Sequence, residues 1–494
     1  MLYHPFCLGS ILILLLWEVN VAVKEIYVWP GGNDSGDCDE NNPCKTIDKG
    51  LSLSLSFTSS KINLGSGNYT LKRNFTLTRK AYFSLVGSGS TRHDVQITCN
   101  VNTGFSFIQC EKVNFERVTL QKCGRLHNIS HRSPFPGEFK AALFAKKCTN
   151  LRISEVEISF SVDYAVTLFN VEAFVSLINS VFADNRGSKE NYSNATTEHD
   201  PLVRKLWLGG GVKVILNRED SDTAVNVTPV EHASYKGKTH YLIYNCSFSR
   251  NGILVSNYVK TQESLLQHRR LEFGSGLSVY LKEYSRNATI NITACRFVDN
   301  RAPIGGGLRV ELDVHTEKHS FIIADTIFLS NKVMLNGGGA YIANLQSHDN
   351  TLIVFNITNC SFIDNVADEG GGVSLHGTLI QLHYLQSSAI HFFFHRCTWH
   401  RNTGNWGAAM YLFSNHVIED HFESRVLFSV QIDGDTRFES NSAKQSGALY
   451  SERVPLIFKD TTNFRRNEKT AVVLDGSTLL GYGHVEFANN LRSE

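Results

Sequence analysis

The sequence predicts an all-β chain that folds as a single-stranded right-handed parallel β-helix, a solenoid of three-strand coils, with an N-terminal cap. Three observations predict this fold. A short motif recurs along the chain, a glycine turn follows most of its copies, and the composition favours strands. The chain has 494 residues with 37 Gly, 31 Phe and 17 Tyr but only 9 Pro, which is typical of extended strands joined at glycine corners.

The repeat unit is a small residue, an aromatic residue two positions later and an asparagine three positions after the aromatic. Copies stand at 180–185, 246–251, 295–300, 326–331, 360–365, 397–402, 436–441 and 462–467, and a shorter one at 487–490. Because alternate residues of a strand share a face, we expect the small and aromatic residues to point inward and to stack on their counterparts. We expect the asparagines to adopt left-handed backbone conformation and to form one hydrogen-bonded ladder at a corner. The ladder residues are Asn251, Asn300, Asn331, Asn365, Asn402, Asn441 and Asn467.

Glycine clusters mark a second corner, where a positive φ strains other residues. They stand at 209–211, 274–276, 305–307, 337–339, 370–372, 407 and 447. An apolar run follows each cluster and another precedes each small residue, so each repeat holds three short strands. Extra residues fall between the asparagine and the glycines, at 187–208 and 252–273, which predicts glycosylated loop insertions on one side of the solenoid. Coils are expected to stack at about 4.8 Å with right-handed connections.

These F-x-x-N and G-G-A/V/L elements resemble the repeats of chlamydial polymorphic membrane proteins and of secreted right-handed β-helix repeat proteins of simple animals. The resemblance covers about residues 180 to 490, and the ordered recurrence of the elements carries it. It implies an adhesin-like extracellular scaffold.

The N-terminal segment differs from the repeats. Residues 1–23 are predicted to be a signal peptide, because the apolar stretch at 6–17 is too short to span a bilayer and small residues follow it. Residues 24–94 are predicted to form the N-terminal cap and first coils, with a strand, a cysteine loop and a short helix over the open end. Residues 95–494 are assigned to the β-helix, and no linker divides the chain.

Cysteines and sequons indicate secretion. Without Cys7 in the signal, the 11 cysteines become an even set that an oxidising compartment could pair. We expect a Cys38–Cys44 disulfide, whereas Cys246 and Cys295, and likewise Cys360 and Cys397, are expected to stack as buried thiols. Glycosylation sequons stand at Asn33, Asn68, Asn74, Asn128, Asn191, Asn194, Asn226, Asn245, Asn287, Asn291, Asn356 and Asn359.

Outward carboxylates are the first candidates for catalysis. Asp299 and Asp364 precede ladder asparagines two coils apart, which places them roughly 9.6 Å from each other, within the range for inverting glycoside hydrolysis. Ser330 lies between them and no third acid or base adjoins them, so we interpret them as solvated corner carboxylates. The sequence therefore predicts no catalytic residue.

Two clusters could suggest a metal. His391, His395, Cys397 and His400 lie close in sequence, but strand parity directs Cys397 inward and His395 and His400 outward. The acidic residues near the cysteine loop, Asp34, Asp37, Asp39 and Glu40, lack the spacing of a calcium loop. We predict neither a metal site nor a cofactor.

Two functions fit these features. The first is a non-catalytic extracellular or cell-surface scaffold for adhesion or ligand binding, with a carbohydrate or protein ligand. The alternative is a polysaccharide-processing enzyme, a lyase or glycoside hydrolase of the pectin-lyase-like fold. A groove with clustered outward Asp, Lys and Arg over three successive coils would support the enzyme, and the sequence analysis finds none.

The net charge and the C-terminal end of the sequence indicate which binding partners to expect. The net charge of +1 argues against nucleic acid and against an anionic membrane surface. The last copy, at 487–490, is not followed by a glycine corner or a cap. We therefore expect the chain to be a fragment of a longer polypeptide, with membrane contact only through a missing anchor.

Overall fold

The computed structural model describes residues 22–100, 103–124, 141–161, 164–185, 210–216, 238–252, 275–282, 285–313, 316–344, 352–377, 389–414, 427–481 and 483–490. Three long sheets, named A, B and C here, enclose one apolar core, and every strand pair recorded in them is parallel. Within each coil the chain passes from sheet C to sheet A and then to sheet B. The predicted right-handed parallel β-helix is confirmed.

Sheet A begins with the first strand of the chain. Its strands are Lys24–Val28, Ser59–Leu64, Tyr82–Gly87, Lys112–Glu116, Asn150–Ser154, Phe174–Ile178, Thr239–Tyr244, Ala288–Thr293, His319–Ala324, Leu352–Thr358, Ala389–His395, Leu427–Asp433, Leu456–Phe458 and Leu479–Gly481.

Sheet B contains the repeat motif. Its strands are Gly67–Leu71, Val95–Cys99, Thr119–Gln121, Glu157–Ser159, Val181–Ala183, Ser247–Ser249, Arg296–Val298, Ile327–Leu329, Ser361–Ile363, Thr398–His400, Thr436–Glu439, Thr461–Arg465 and His484–Ala488.

Sheet C contains the strands that follow the glycine clusters. Its strands are Phe75–Thr78, Phe105–Ile108, Leu143–Lys146, Val166–Phe169, Val212–Leu216, Leu277–Leu281, Leu308–Leu312, Ala340–Asn344, Val373–Gly377, Thr403–Gly404, Met410–Ser414, Ser442–Glu452 and Glu468–Asp475. A separate two-stranded pair joins Arg301–Ala302 to Lys332–Val333.

The aromatic residues of the motif form a continuous stack inside sheet B. Phe297 and Phe328 pair in register, and their ring centroids lie 4.9 Å apart with an angle of 4° between planes. The stack continues through Phe328, Phe362 and Trp399, with centroid distances of 4.7 and 5.3 Å. These rings are buried, because in-register parallel strands place equivalent side chains about 4.8 Å apart.

The asparagines form a hydrogen-bonded row at the corner after sheet B. The Oδ1 atom of Asn331 accepts hydrogen bonds from the backbone N–H and the Nδ2 of Asn300, at 3.1 and 3.0 Å. Its own Nδ2 donates to Asn365 Oδ1 and to the carbonyl of Phe297, both at 2.9 Å. The same bonds repeat for each neighbour from Asn185 to Asn490.

The left-handed residue at this corner is not the ladder asparagine, which corrects our expectation. The residue before the asparagine has the positive φ, for example 54° at Asp299, 56° at Ser330 and 54° at Asp364. At the other corner the first glycine of a cluster has this conformation, with φ of 67° at Gly337. A Cβ on Gly371 would lie 2.5 Å from backbone oxygens of two neighbouring segments, so close approach also demands glycine there.

The longer connections to and from sheet C lie outside the described residues, so the loops expected on one side of the solenoid stay a prediction. The chain from sheet B to sheet C runs through 125–140, 186–209 and 253–274, and the chain from sheet C to sheet A through 217–237, 345–351, 378–388 and 415–426. These segments, including the insertions predicted at 187–208 and 252–273 apart from Gly252, lie outside the described residues.

A short helix and a disulfide loop cover the first coil. Helix α1, Ile47–Ser54, begins after Thr46, whose side chain accepts a hydrogen bond from the backbone of Lys49. Ile47 and Leu51 of the helix are buried in the core. This arrangement agrees with the predicted cap. None of the helices within the described ranges is both long and apolar enough to span a membrane.

Candidate functional site

The outer face of sheet C, meaning the side chains that point away from the core on its strands, includes buried charged and aromatic residues. In Leu308–Leu312 the inward residues Leu308, Val310 and Leu312 join the core, while Arg309 and Glu311 point outward. Arg309 is nevertheless only 2% exposed. A buried charged group is the informative exception on a protein surface.

Cations and aromatic rings alternate along this face. Lys213 is 2% exposed, and its Nζ lies 5.3 Å from the ring centroids of both Tyr164 and Tyr280. The Arg309 guanidinium lies 5.4 Å from the Tyr280 ring, and its Nε donates to Glu311 Oε1 at 2.9 Å. Burial alone would lower the pKa of Arg309. The attraction of the Glu311 carboxylate outweighs that effect, so the pKa lies above its usual value.

His376 and the Glu369 carboxylate lie close together two coils after Arg309. The Nδ2 of Asn336 donates both to Glu369 Oε2 and to His376 Nε2, the latter at 3.1 Å. His376 Nε2 lies 3.7 Å from Glu369 Oε2 and 2.9 Å from Ser374 Oγ. Burial lowers the pKa of His376 to about 4, so the imidazole is neutral at pH 7 and its Nε2 can accept the hydrogen bond from Asn336.

Aromatic side chains surround this histidine. The ring centroids of Tyr341, Tyr411 and Phe413 lie 5.3, 5.5 and 5.7 Å from that of His376. Tyr411 stacks on Tyr450 of the next coil at 5.4 Å with nearly parallel planes. Burial, followed by the nearby carboxylates, raises the pKa of Tyr411 well above its usual value. The cluster therefore combines apolar ring faces with a few fixed polar groups, as ligand sites do.

A second polar region lies on the outside of sheet B. A cavity of about 190 Å³ is lined by Asp435, Arg437, Phe438, Glu439, Asn463 and Arg465. With Glu486, whose carboxylate lies 3.0 Å from Arg465, it brings acidic and basic side chains together over three successive coils. The lining of this cavity contains Asp and Arg side chains but no Lys among the described residues, so it does not match the Asp, Lys and Arg groove that would support an enzyme. Arg437 pairs with Asp435 at 2.7 Å, so much of its charge is matched within the groove.

The candidate carboxylates Asp299 and Asp364 lie at the corner after sheet B. Arg401 donates to both oxygens of Asp364 at 2.7 and 2.8 Å, and this bond lowers the pKa of Asp364. Asp299 is exposed. Neither residue belongs to the enclosed face of sheet C.

The candidate metal residues near 391–400 are separated. His391 contacts Ser429 at 2.8 Å, His395 contacts Asp433 at 2.6 Å and His400 lies 3.8 Å from Glu439. Cys397 points into the core. The described part of the chain contains no group of three or more His, Cys, Asp or Glu side chains that could hold a metal ion.

The acidic turn near the cap has a local role at Asp34. Its carboxylate accepts hydrogen bonds from the backbone of Lys45 and Thr46 and from the Thr46 hydroxyl, at 2.7 to 2.9 Å. Asp39 accepts from the backbone of Asn41 and Asn42, whereas Asp37 and Glu40 are exposed. These bonds hold the loop that covers the first coil.

Cysteines divide into bonded and free pairs. Cys38 bonds Cys44, and Cys99 bonds Cys123, a second disulfide that the sequence analysis did not predict. The pairs Cys246 with Cys295 and Cys360 with Cys397 are buried thiols, as are Cys110 and Cys148.

Several sequon asparagines lie at the surface. Asn33, Asn68, Asn74, Asn245, Asn356 and Asn359 are exposed, and Asn287 and Asn291 are partly exposed. Asn128, Asn191, Asn194 and Asn226 lie outside the described residues, as does nearly all of the predicted signal peptide. Glycosylation of these positions stays a prediction.

Sequence reasoning missed the outer face of sheet C, although a signal was present. The runs V-K-V-I-L, L-R-V-E-L and V-S-L-H-G follow glycine clusters, and each places at least one charged residue or a histidine between apolar residues. Such alternation identifies outward residues, but it does not show that they are enclosed.

Comparisons with known proteins concern the fold. No protein-family model and no curated protein matches the chain. Among solved structures, the GH136 lacto-N-biosidase from Eubacterium ramulus has 9% identity and a TM-score of 0.38, over 94% of this chain and 68% of that one. Pectate lyase Pel9A has 9% identity and a TM-score of 0.30, over 93% and 79%. The Yersinia enterocolitica Family 28 exopolygalacturonase has 10% identity and a TM-score of 0.33, over 95% and 79%. At these low scores none of them bears on the activity of this chain.

Proposed function

We propose that this protein is an extracellular β-helix that binds an extended carbohydrate along the outer face of sheet C. The observation that carries the proposal is the enclosure of charged and aromatic side chains on that face. Arg309, Lys213 and Tyr280 are buried there, whereas Tyr244, on the outer face of sheet A, is 45% exposed. Enclosing ionic side chains costs free energy that stability alone does not require.

The chemistry of the face suits sugars. Tyrosine and tryptophan present a flat apolar ring and a polar tip, and a carbohydrate has apolar ring faces with hydroxyl edges. Coils repeat every 4.8 Å or so, so side chains from successive coils can contact successive units of a linear ligand. Two disulfides support an oxidising, extracellular location.

The test compares two matched tyrosine substitutions in the full secreted chain. Tyr341→Ala removes a ring from the face, and Tyr244→Ala removes a ring from the outside of sheet A. A glycan array identifies ligands, and calorimetry should show that Tyr341→Ala weakens binding at least about tenfold, or roughly 1.4 kcal/mol, while Tyr244→Ala leaves it unchanged. Equal losses in both variants, or no bound glycan at all, would contradict the proposal.

Polysaccharide cleavage is the second candidate, because one pair of groups has the chemistry for it. Neutral His376 and the Glu369 carboxylate lie side by side, bridged by the Asn336 amide, and the carboxylate could remove a proton from a sugar or a water. Release of reducing ends from the bound polymer, abolished in Glu369→Gln, would establish catalysis. Binding without release would leave the carbohydrate-binding function alone.

A further inference from the structure

One buried hydrogen-bond donor on the outer face of sheet C has no partner. The Nε and Nη2 atoms of Arg309 both donate hydrogen bonds to Oε1 of Glu311. Its Nη1 is buried and makes no hydrogen bond with any residue that the structure describes. Leaving a charged donor unpaired in an enclosed place is unfavourable, so a ligand atom is the natural acceptor at this point.

The guanidinium group of Arg309 itself favours an anion over a neutral acceptor. Lys213 and Arg309 both approach the ring of Tyr280, at 5.3 and 5.4 Å, and Glu311 is the carboxylate paired with Arg309. In register, Lys213 aligns with Ser278 and Ser278 with Arg309, so the two cations belong to one row, two coils apart. A guanidinium offers a planar set of donors that matches a carboxylate or a sulfate.

We propose that the Arg309 guanidinium binds a negatively charged group of the carbohydrate, so that the ligand is an acidic polysaccharide with carboxylate or sulfate groups. This inference rests on the proposed function and adds the ligand's chemical class. Arg309 would be the residue that selects for charge, with the Tyr280 ring holding the guanidinium in place.

The experiment uses the full secreted chain and three polymers. Polygalacturonate supplies carboxylates, dextran sulfate supplies sulfates, and dextran supplies neither charge. The variant Arg309→Gln/Glu311→Gln removes both charges of the buried pair together, so no buried charge is left alone. The matched control is Arg286→Gln/Glu317→Gln, which removes an arginine–glutamate pair that is more exposed and lies outside both candidate regions. Thermal unfolding verifies that both variants fold.

We expect the unmodified chain to bind one of the charged polymers at least about tenfold more tightly than dextran, and the two charged polymers distinguish carboxylate from sulfate. The Arg309 variant should lose this preference, whereas the Arg286 control should keep it. Equal binding of charged and neutral polymers, or a preference that survives in the Arg309 variant, overturns the inference and leaves carbohydrate binding intact. A chain that binds none of the polymers and no array glycan overturns both.

Discussion

The coils after residue 180 and the coils before it build their cores in different ways. In the later coils one aromatic residue per coil stacks on its equivalent, as Phe438 does on Phe464 at 4.5 Å with planes 9° apart. In the earlier coils Phe105 and Phe107 of sheet C meet Phe115 of sheet A at 5.4 and 5.6 Å with planes 79° apart. A residue repeated at one register position stacks, because each coil presents it at the same place. Where the repeat is absent, rings from different sheets interlock edge to face.

The stabilising interactions follow the same division. Both disulfides lie in the earlier coils, whereas the asparagine ladder lies in the later coils; free thiols occur in both parts. Disulfides therefore stabilise the early coils, whereas repeated hydrogen bonds and stacked rings stabilise the later ones. Three predictions test this division.

The largest effect is expected from breaking the ladder. Asn331→Leu removes the hydrogen bonds that Asn331 exchanges with its two ladder neighbours and with the Phe297 carbonyl. Several buried groups lose partners at roughly 1–3 kcal/mol each, so we expect the free energy of unfolding to fall by about 4 kcal/mol. Denaturant unfolding measures this change.

The control for the ladder is Asn356→Leu, because Asn356 is an exposed asparagine on the outside of sheet A. With both chains made without N-glycans, this control should change stability by less than about 0.5 kcal/mol. If the two substitutions cost the same, the ladder does not brace the later coils.

An intermediate effect is expected from the second disulfide. Cys99→Ala/Cys123→Ala opens a loop with a sequence separation of 24, which should lower the free energy of unfolding by about 3 kcal/mol. Cys246→Ala/Cys295→Ala removes only two buried thiols and should cost about 1 kcal/mol. Hydrogen exchange should show faster opening of the early coils in the first variant alone. Mass mapping that finds Cys246 bonded to Cys295 would contradict the division.

The smallest effect is expected from Trp399→Phe, which changes the one indole of the aromatic stack. Trp399 lies between Phe362 and Phe438 at 5.3 and 4.6 Å, and its buried Nε1 has no hydrogen-bond partner among the described residues. Trp399→Phe restores the repeat residue and removes the unpaired N–H, which offsets lost apolar contact, so stability should change by no more than about 1 kcal/mol. Trp399→Ala, which leaves a cavity, should cost about 3–5 kcal/mol. A similar cost for both substitutions would show that the stack requires an indole at this coil.

The cysteines show how far register could be predicted. Cys246 and Cys295 occupy equivalent positions in neighbouring coils, because Ser247 pairs with Arg296, and they remain thiols. Cys99 and Cys123 are offset by one residue, since Thr98 pairs with Gln121, and they form a disulfide. The repeat made the first pair visible in the sequence. The second pair lies in coils without a clear repeat, so their alignment could not be deduced.

The backbone of the ladder corner was also beyond the sequence analysis. The residues with positive φ before the asparagines include Asp299, Ser330 and Arg401, which share no side-chain chemistry. The asparagine itself was identified because its amide is required in every coil. The left-handed residue was not, because the turn constrains only its backbone.

The sequence by itself determined the solenoid, its three strands per coil, the stacked aromatic residues and the asparagine row, because each recurs with the period of a coil and an in-register parallel sheet converts that period into contact. Only the tertiary structure decided where the candidate site lies. Arg309 and Glu311 lie on one strand, His376 on another and Glu369 in a corner. In its own coil, each is an ordinary outward residue. They form a site because the stacking of coils brings them onto one face and because that face is enclosed, a property of the assembled molecule that no single coil possesses.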